Sequence, residues 1–310
     1  MANKKKINLN KCFTSIRNFT YSTNRSQVSN FPNKNLNKYT GQNLAHYLAG
    51  LIEGDGYISI TTQNRVILGI TFNIKDRPLA EKLLNILGKG SIVIRSGNSI
   101  ELRFSSKKTL CNIIELINGK FRTPKIEQLY KLINWMNKQH SMDIKNLPLN
   151  DSSILNDSWL SGFIDADGHF YIRNSLKQII CKFSLEQRMI YPKTNESYNF
   201  ILNKICLALN VKLNSRIREG AAPASQEQQK DSYYIIRVEN QNSIKLLIEY
   251  LDIYPLLSSK HLDFLCWKIV FNEIINKNHK TVEGRKIVSE QKGQMNDSRI
   301  FFNWDHLKNL

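Results

Sequence analysis

Residues 48–56 read Leu-Ala-Gly-Leu-Ile-Glu-Gly-Asp-Gly, and residues 160–168 read Leu-Ser-Gly-Phe-Ile-Asp-Ala-Asp-Gly. Identical or similar residue types match at every position, and the closing acids, Asp55 and Asp167, lie 112 residues apart. The flanking segments repeat as well. Phe72-Asn73-Ile74-Lys75-Asp76-Arg77 matches Phe183-Ser184-Leu185-Glu186-Gln187-Arg188, and Arg122-Thr123-Pro124-Lys125 matches the segment ending Leu256-Leu257-Ser258-Ser259-Lys260. A shared helix pattern would explain one match. Three in the same order indicate two copies of one unit. The two lysines are 135 residues apart, so the second copy is longer, with its extra length in the polar stretches 191–197 and 218–231.

Working outward, each copy predicts the order α-β-β-α-β-β-α, followed by one closing helix. Residues 44–53 carry apolar and small residues at helical spacing, with Gly56 as the stop. Residues 57–62 and 65–75 alternate like paired strands. Asp76 is placed to cap a helix that holds Pro78 in its first turn and meets Gly88 at its end. Residues 91–95 and 100–105 suit a hairpin, and helices follow over 107–117 and 124–138. The second copy repeats this with a helix from Trp159, strands at 169–173 and 178–186, a helix at 199–209, two further strands, and helices at 243–250 and 260–276. The expected class is α+β, with units at 41–140 and 158–277. Residues 141–157, polar and containing Pro148, read as a linker, and 278–310 as a mixed C-terminal extension.

Composition narrows the function classes. The 310 residues include 44 Lys+Arg against 26 Asp+Glu, a formal net charge of +18. With 41% hydrophobic residues the chain has enough apolar content for packed cores. No run approaches the ~18 apolar residues of a membrane span. Cys12, Cys111, Cys181, Cys206 and Cys266 contain no C-x-x-C pair, and the six histidines show no zinc-ligand spacing. The usual partner of such a basic protein is nucleic acid. Residues 1–40 hold eight basic residues and no acid, and read as a poorly ordered arm or an organellar transit peptide. The remainder is still basic, with 36 basic against 26 acidic residues. The abundance of Asn, Lys and Ile fits AT-rich coding, as in fungal or protist mitochondrial genomes.

The repeated motif has a physical reading. Gly50 and Gly54, then Gly162 and Ala166, sit four apart on one helix face. Two such faces can approach closely, as small-x-x-x-small pairs do. Packed together, the helices would bring Asp55 and Asp167 to one end, where their repulsion would be relieved by a divalent cation. Carboxylate oxygens without His or Cys suit Mg²⁺ (or Mn²⁺). Glu53 and Asp165, unfavourable near helix C-termini, are expected to satisfy backbone donors.

These nonapeptides resemble the signature of the LAGLIDADG homing endonucleases, in the two-motif, single-chain form. The resemblance covers residues 43–276 and implies two αββαββα halves related by a pseudo-twofold axis. The signature helices would form the interface, and the antiparallel sheets a saddle for the DNA major groove. It assigns Asp55 and Asp167 to metal binding. Lys125 and Lys260 would polarise or order water around the scissile phosphate, with Gln187 in the same network. Asp76 occupies the Gln187 position of the first copy, and is either catalytic or only a helix cap.

On the sheets, Tyr57, Ser59, Thr61 and Gln63 follow Asp55 with one alternation, and His169, Tyr171, Arg173 and Ser175 follow Asp167. Arg95, Arg103, Lys182, Arg216 and Arg237 lie on later strands. These types suit base edges and phosphates, and their difference between halves implies an asymmetric target. The resemblance therefore implies a monomeric, Mg²⁺-dependent endodeoxyribonuclease that cuts both strands of long, asymmetric double-stranded DNA sites, located in the mitochondrion. The alternative is a maturase that binds its host intron RNA and assists splicing, with or without cleavage. The intact acid pair and the two lysines favour cutting.

Overall fold

The computed structural model describes residues 41–219 and 230–310. The basic arm 1–40 and most of the expected insertion at 218–231 lie outside the described residues.

Two αββαββα units follow one another, each with a closing helix. In the first, α1 (Gly41–Asp55) leads into β1 (Gly56–Ile60) and β2 (Val66–Asn73), then α2 (Arg77–Leu87), β3 (Ser91–Arg95), β4 (Ser99–Phe104), α3 (Lys107–Ile117) and α4 (Ile126–His140). In the second, α5 (Trp159–Asp167) is followed by β5 (Gly168–Asn174), β6 (Ile179–Arg188), α6 (Asn199–Leu209), β7 (Leu213–Glu219), β8 (Lys230–Val238), α7 (Gln241–Ile253) and α8 (Lys260–Ile275). A final helix, α9 (Val282–Lys292), lies in the C-terminal extension with three short 3₁₀ turns. The sheets have matching antiparallel orders, β1-β2-β4-β3 and β5-β6-β8-β7.

Alternation builds each sheet. Ile100, Leu102 and Phe104 of β4 are fully buried, while Glu101 and Arg103 between them face outward. In β5, Phe170 and Ile172 are buried and His169, Tyr171 and Arg173 exposed. One face of each sheet thus packs on helices, and the other presents a polar row to solvent. Behind the second sheet, Phe170, Phe183, Phe264 and Trp267 form an aromatic cluster. No described helix is long and apolar enough to cross a membrane. Cys111, Cys181, Cys206 and Cys266 form no disulfide.

α1 and α5 form the seam between the units. A Cβ on Gly50 would run into the Trp159 carbonyl, and one on Gly162 into the Tyr47 carbonyl. A Cβ on Gly54 would collide with that of Ala166. The small residues are therefore required by backbone contact across the seam. The helix stops before Gly56 as expected, though without a left-handed cap at Gly56. That glycine opens β1, has no positive φ, and is needed because a Cβ would lie 2.6 Å from the Ile52 carbonyl oxygen. Gly168 repeats this against Ile164, at 2.7 Å.

Residues 141–157 contain only a 3₁₀ turn at Ile154–Asn156, yet they are pinned down. Arg122, fully buried, donates to the Asn150 and Ser152 carbonyls and pairs with Asp157 at 2.7 Å. Asp157 in turn accepts from the Trp159 amide at 2.9 Å, fixing the start of α5.

Candidate functional site

α1 and α5 end side by side, so Asp55 and Asp167 arrive at one place. A Cβ added to Gly54 would lie 3.2 Å from Oδ2 of Asp167. Burial, and after it the charge of Asp167, push the Asp55 carboxyl up to about 6 against the pull of Lys260 and Lys125. Burial likewise raises Asp167, opposed by the same two lysines and by a hydrogen bond from Gln187 Nε2 at 3.0 Å.

The lysines approach from the turns that open the closing helices. Lys125 Nζ donates to the carbonyls of Ile52 (3.2 Å), Gly54 (2.9 Å) and Gly56 (2.9 Å). Lys260 Nζ donates to those of Ile164 (3.3 Å) and Ala166 (2.7 Å). Each ammonium thus caps the carbonyl end of its own signature helix, where a cation is favoured by the helix dipole. All three N–H bonds of Lys125 are used in this way, and one of Lys260 remains. Burial lowers the Lys125 pKa, against the pull of Asp167, Glu53 and Asp55. The lysines therefore act on the acid pair through charge.

Glu53 and Asp165 hold those lysine-bearing turns. Glu53 accepts from the amides of Arg122 (2.9 Å) and Thr123 (2.6 Å). Asp165 accepts from the amides of Leu257 (2.7 Å) and Ser258 (3.1 Å) and from the Ser258 hydroxyl. Each acid also takes one donor from the opposite unit. Trp159 Nε1 donates to Glu53 at 2.5 Å, and the Tyr47 hydroxyl to Asp165 at 2.7 Å. Tyr47 and Trp159 occupy equivalent positions, immediately before each signature. Burial lifts Glu53 to about 7 despite these three donors and a side-chain hydrogen bond from Thr123.

Asp76 does not cap the helix that follows it, making no side-chain bond at the start of α2. Its Oδ1 accepts from the Ser259 amide at 2.6 Å, in the turn before Lys260. Burial raises its pKa, and its charge contributes to the rise of Asp55. Asp76 is thus near the acid pair, while engaged with the opposite unit. Gln187, its counterpart, bonds directly to Asp167.

The outward sheet faces carry most of the predicted reading residues. Tyr57 lies over Gly69, across which Arg103 is paired. His169, Ser184 and Arg237 line up across β5, β6 and β8, with Tyr171 beside Lys182. Ser59 and Arg173 are exposed on their strands. Thr61 and Gln63 are exposed but belong to the turn after β1, because that strand ends at Ile60. Ser175 lies in the corresponding turn after β5.

Two acids on these faces escaped sequence reasoning. Glu101 bonds Arg95 (3.0 Å) and Arg103 Nε (2.7 Å), and accepts from Tyr57 at 3.3 Å. Glu186 bonds Arg216 (2.6 Å) and Arg218 (2.8 Å). Each glutamate fixes two guanidinium groups in place, which lowers the entropy lost when they engage a base. Glu101 was detectable, since it sits two residues from Arg103 on one strand face.

Among the described residues no group of three or more His, Cys, Asp and Glu side chains could hold a metal ion. Two crowded, buried carboxylates nevertheless fit a hard divalent cation, provided substrate phosphates and water complete its shell.

Comparison with known proteins agrees with this geometry. A family model described as LAGLIDADG endonuclease matches residues 48–136 and 160–271. Over 332 residues the chain is 32% identical to "Intron-encoded DNA endonuclease aI3" of Saccharomyces cerevisiae, covering 96% of this chain and 80% of that protein. It is 33% identical over 257 residues to "Uncharacterized cox1 intron-2 37.2 kDa protein" of Schizosaccharomyces pombe, covering 81% and 72%. The fold matches the solved structure of "LAGLIDADG homing endonuclease I-GzeII in complex with DNA target" with a TM-score of 0.63 at 18% identity, covering 82% of this chain and 99% of that one.

Proposed function

The chain belongs to the LAGLIDADG endonuclease family, and on that ground we propose that it is a homing endonuclease that cuts both strands of a long, asymmetric DNA site by divalent-metal hydrolysis. One observation carries the reading: Asp55 and Asp167 converge at the end of a glycine-packed helix pair, between two basic strand faces. A family member that had become a binder alone would have no use for two desolvated, mutually repelling carboxylates flanked by Lys125 and Lys260.

Asp55 and Asp167 would hold the cation, Mg²⁺ or Mn²⁺. When bound, it activates water and stabilises charge on the phosphate and its leaving oxygen. Gln187 fixes the orientation of the Asp167 carboxylate. Lys125 and Lys260 stabilise the ionised acids and offset phosphate charge. Asp76 orients the turn that carries Lys260. The arginines ordered by Glu101 and Glu186, with Tyr57, Ser59, His169, Tyr171, Arg173, Lys182 and Arg237, read bases and phosphates, while Thr61 and Gln63 contact the DNA from the turn. We take the halves as 41–140 and 158–277, acting as a monomer. An organellar location is supported by the coding bias.

The test is cleavage of the uninterrupted target. Mg²⁺ is expected to give double-strand breaks, and Ca²⁺ binding without cutting. Affinity is expected to fall by about 10³-fold or more between 50 and 200 mM salt. Equal cutting with Ca²⁺, or salt-insensitive affinity, would contradict the reading. RNA binding without any DNA cutting would favour the maturase alternative.

A further inference from the structure

The family match ends at residue 271, and the segment beyond it takes hold of the second half at three places. Its first hold is on the β5–β6 turn. Arg285 of α9 donates to the carbonyls of Ser175 (3.4 Å) and Leu176 (3.2 Å), and Ser289 accepts from Asn174 at 3.0 Å. Its second hold is on α8 and β5. Asp263 accepts from the Asn296 amide at 3.1 Å and from Arg299 at 3.3 Å, while Asn296 Nδ2 reaches the Phe170 carbonyl at 3.2 Å. Its third hold is on the turn before Lys260. His306 stacks on His261, with ring centres 4.3 Å apart, and its Nε2 lies 2.9 Å from the Leu257 carbonyl oxygen. That turn is the one whose amides bind Asp165 and Asp76.

The same segment reaches the chemistry. Asn296 and Asp297 line a cavity of about 310 Å³ together with Asp55, Asp76, His169 and Lys260. The first half is built otherwise. Its β1–β2 turn is held from within, by Trp135 Nε1 donating to Asn64 at 2.8 Å. Its lysine turn is held by Glu53 and by the linker clamp of Arg122.

We propose that residues 278–310 form a positioning element for the second half alone, setting the Lys260 turn through His306 and the β5–β6 reading turn through Arg285. One strand's cleavage, and recognition at one end of the target, then depend on this segment while the other strand and end do not. This rests on the endonuclease reading above, and the test keeps the two apart.

Two full-length variants separate the holds. H306A is expected to slow cutting of the strand on the Lys260 side by about tenfold and to leave the other strand's rate intact, so that nicked circles accumulate before linear product. H306Q, which keeps a donor for the Leu257 carbonyl, should restore matched rates. R285A should keep the two strands matched and raise cutting of targets altered at the second-half end by about fivefold relative to the cognate site. Amide exchange supplies a readout independent of cleavage: H306A should speed exchange at Ser258 and Ser259 and leave Thr123 unchanged. Equal slowing of both strands, unchanged strand rates in H306A, or exchange rising alike at Thr123 and Ser259 would overturn the inference. If the wild-type chain cut no target, the endonuclease reading would fall, and the exchange result would still decide the positioning role.

Discussion

The turns before α4 and α8 are the same device with different supports. Both present two amides to a signature acid, Glu53 or Asp165, and both deliver a lysine to the carbonyl end of the signature helix. Before Lys125 the supporting residue is Arg122, buried with no side-chain exposure and clamped onto the linker. Its counterpart is Leu257, which has no charge and receives His306 on its carbonyl instead. Duplication fixed the part that touches the acid pair. The scaffolding around it diverged, because a turn can be pinned by any well-placed donor.

Breaking the stronger support should show the difference at its largest. Arg122→Met leaves Asp157 buried without its cation and is expected to cost about 3–5 kcal/mol in denaturant unfolding. The His306 contact, a single hydrogen bond, should cost only about 1 kcal/mol. Equal losses would mean that the two turns are supported alike.

The seam offers a sharper contrast, since Gly54 faces Ala166 where Gly50 and Gly162 each face backbone. Gly54→Ala is expected to destabilise by about 2 kcal/mol through overpacking, and the exchange Gly54→Ala with Ala166→Gly to recover most of it. Additive losses in the double variant would show that the two positions do not meet.

A smaller effect separates the reciprocal aromatic donors. Trp159→Phe removes a donor to Glu53 and part of a fully buried ring and should cost about 2 kcal/mol, whereas Tyr47→Phe removes only a hydroxyl, leaves Asp165 with three donors and should cost about 1 kcal/mol. The reverse order in thermal unfolding would show that the two acids are not held as described.

The duplicated nonapeptide made the helix pair, the unit order and the meeting of Asp55 with Asp167 legible, because glycine spacing and alternation are local signals. Gln187 entered through the family resemblance, and its amide does bond Asp167. What escaped is long-range. Asp76 was expected either to be catalytic or to cap the helix beside it, and it makes no cap bond; its partner is Ser259, 183 residues away. The cross-seam bonds of Tyr47 and Trp159 join residues 118 and 106 positions apart, and nothing in either segment announces them. Lys125 and Lys260 were expected to polarise or order water around the scissile phosphate; what the matched positions did not disclose is that their hydrogen bonds go to helix carbonyls, a geometry set by packing depth.

The most direct measurement is strand-resolved, single-turnover cutting by Asp55→Asn, Asp167→Asn and the double variant, with DNA binding measured alongside. If one cation site is shared across the seam, either single change abolishes cutting of both strands, by about 10³-fold or more, and the double variant is no worse. Binding is retained throughout. If each single variant still cut one strand at close to the wild-type rate, the two carboxylates would be serving separate sites, and the shared centre would be contradicted.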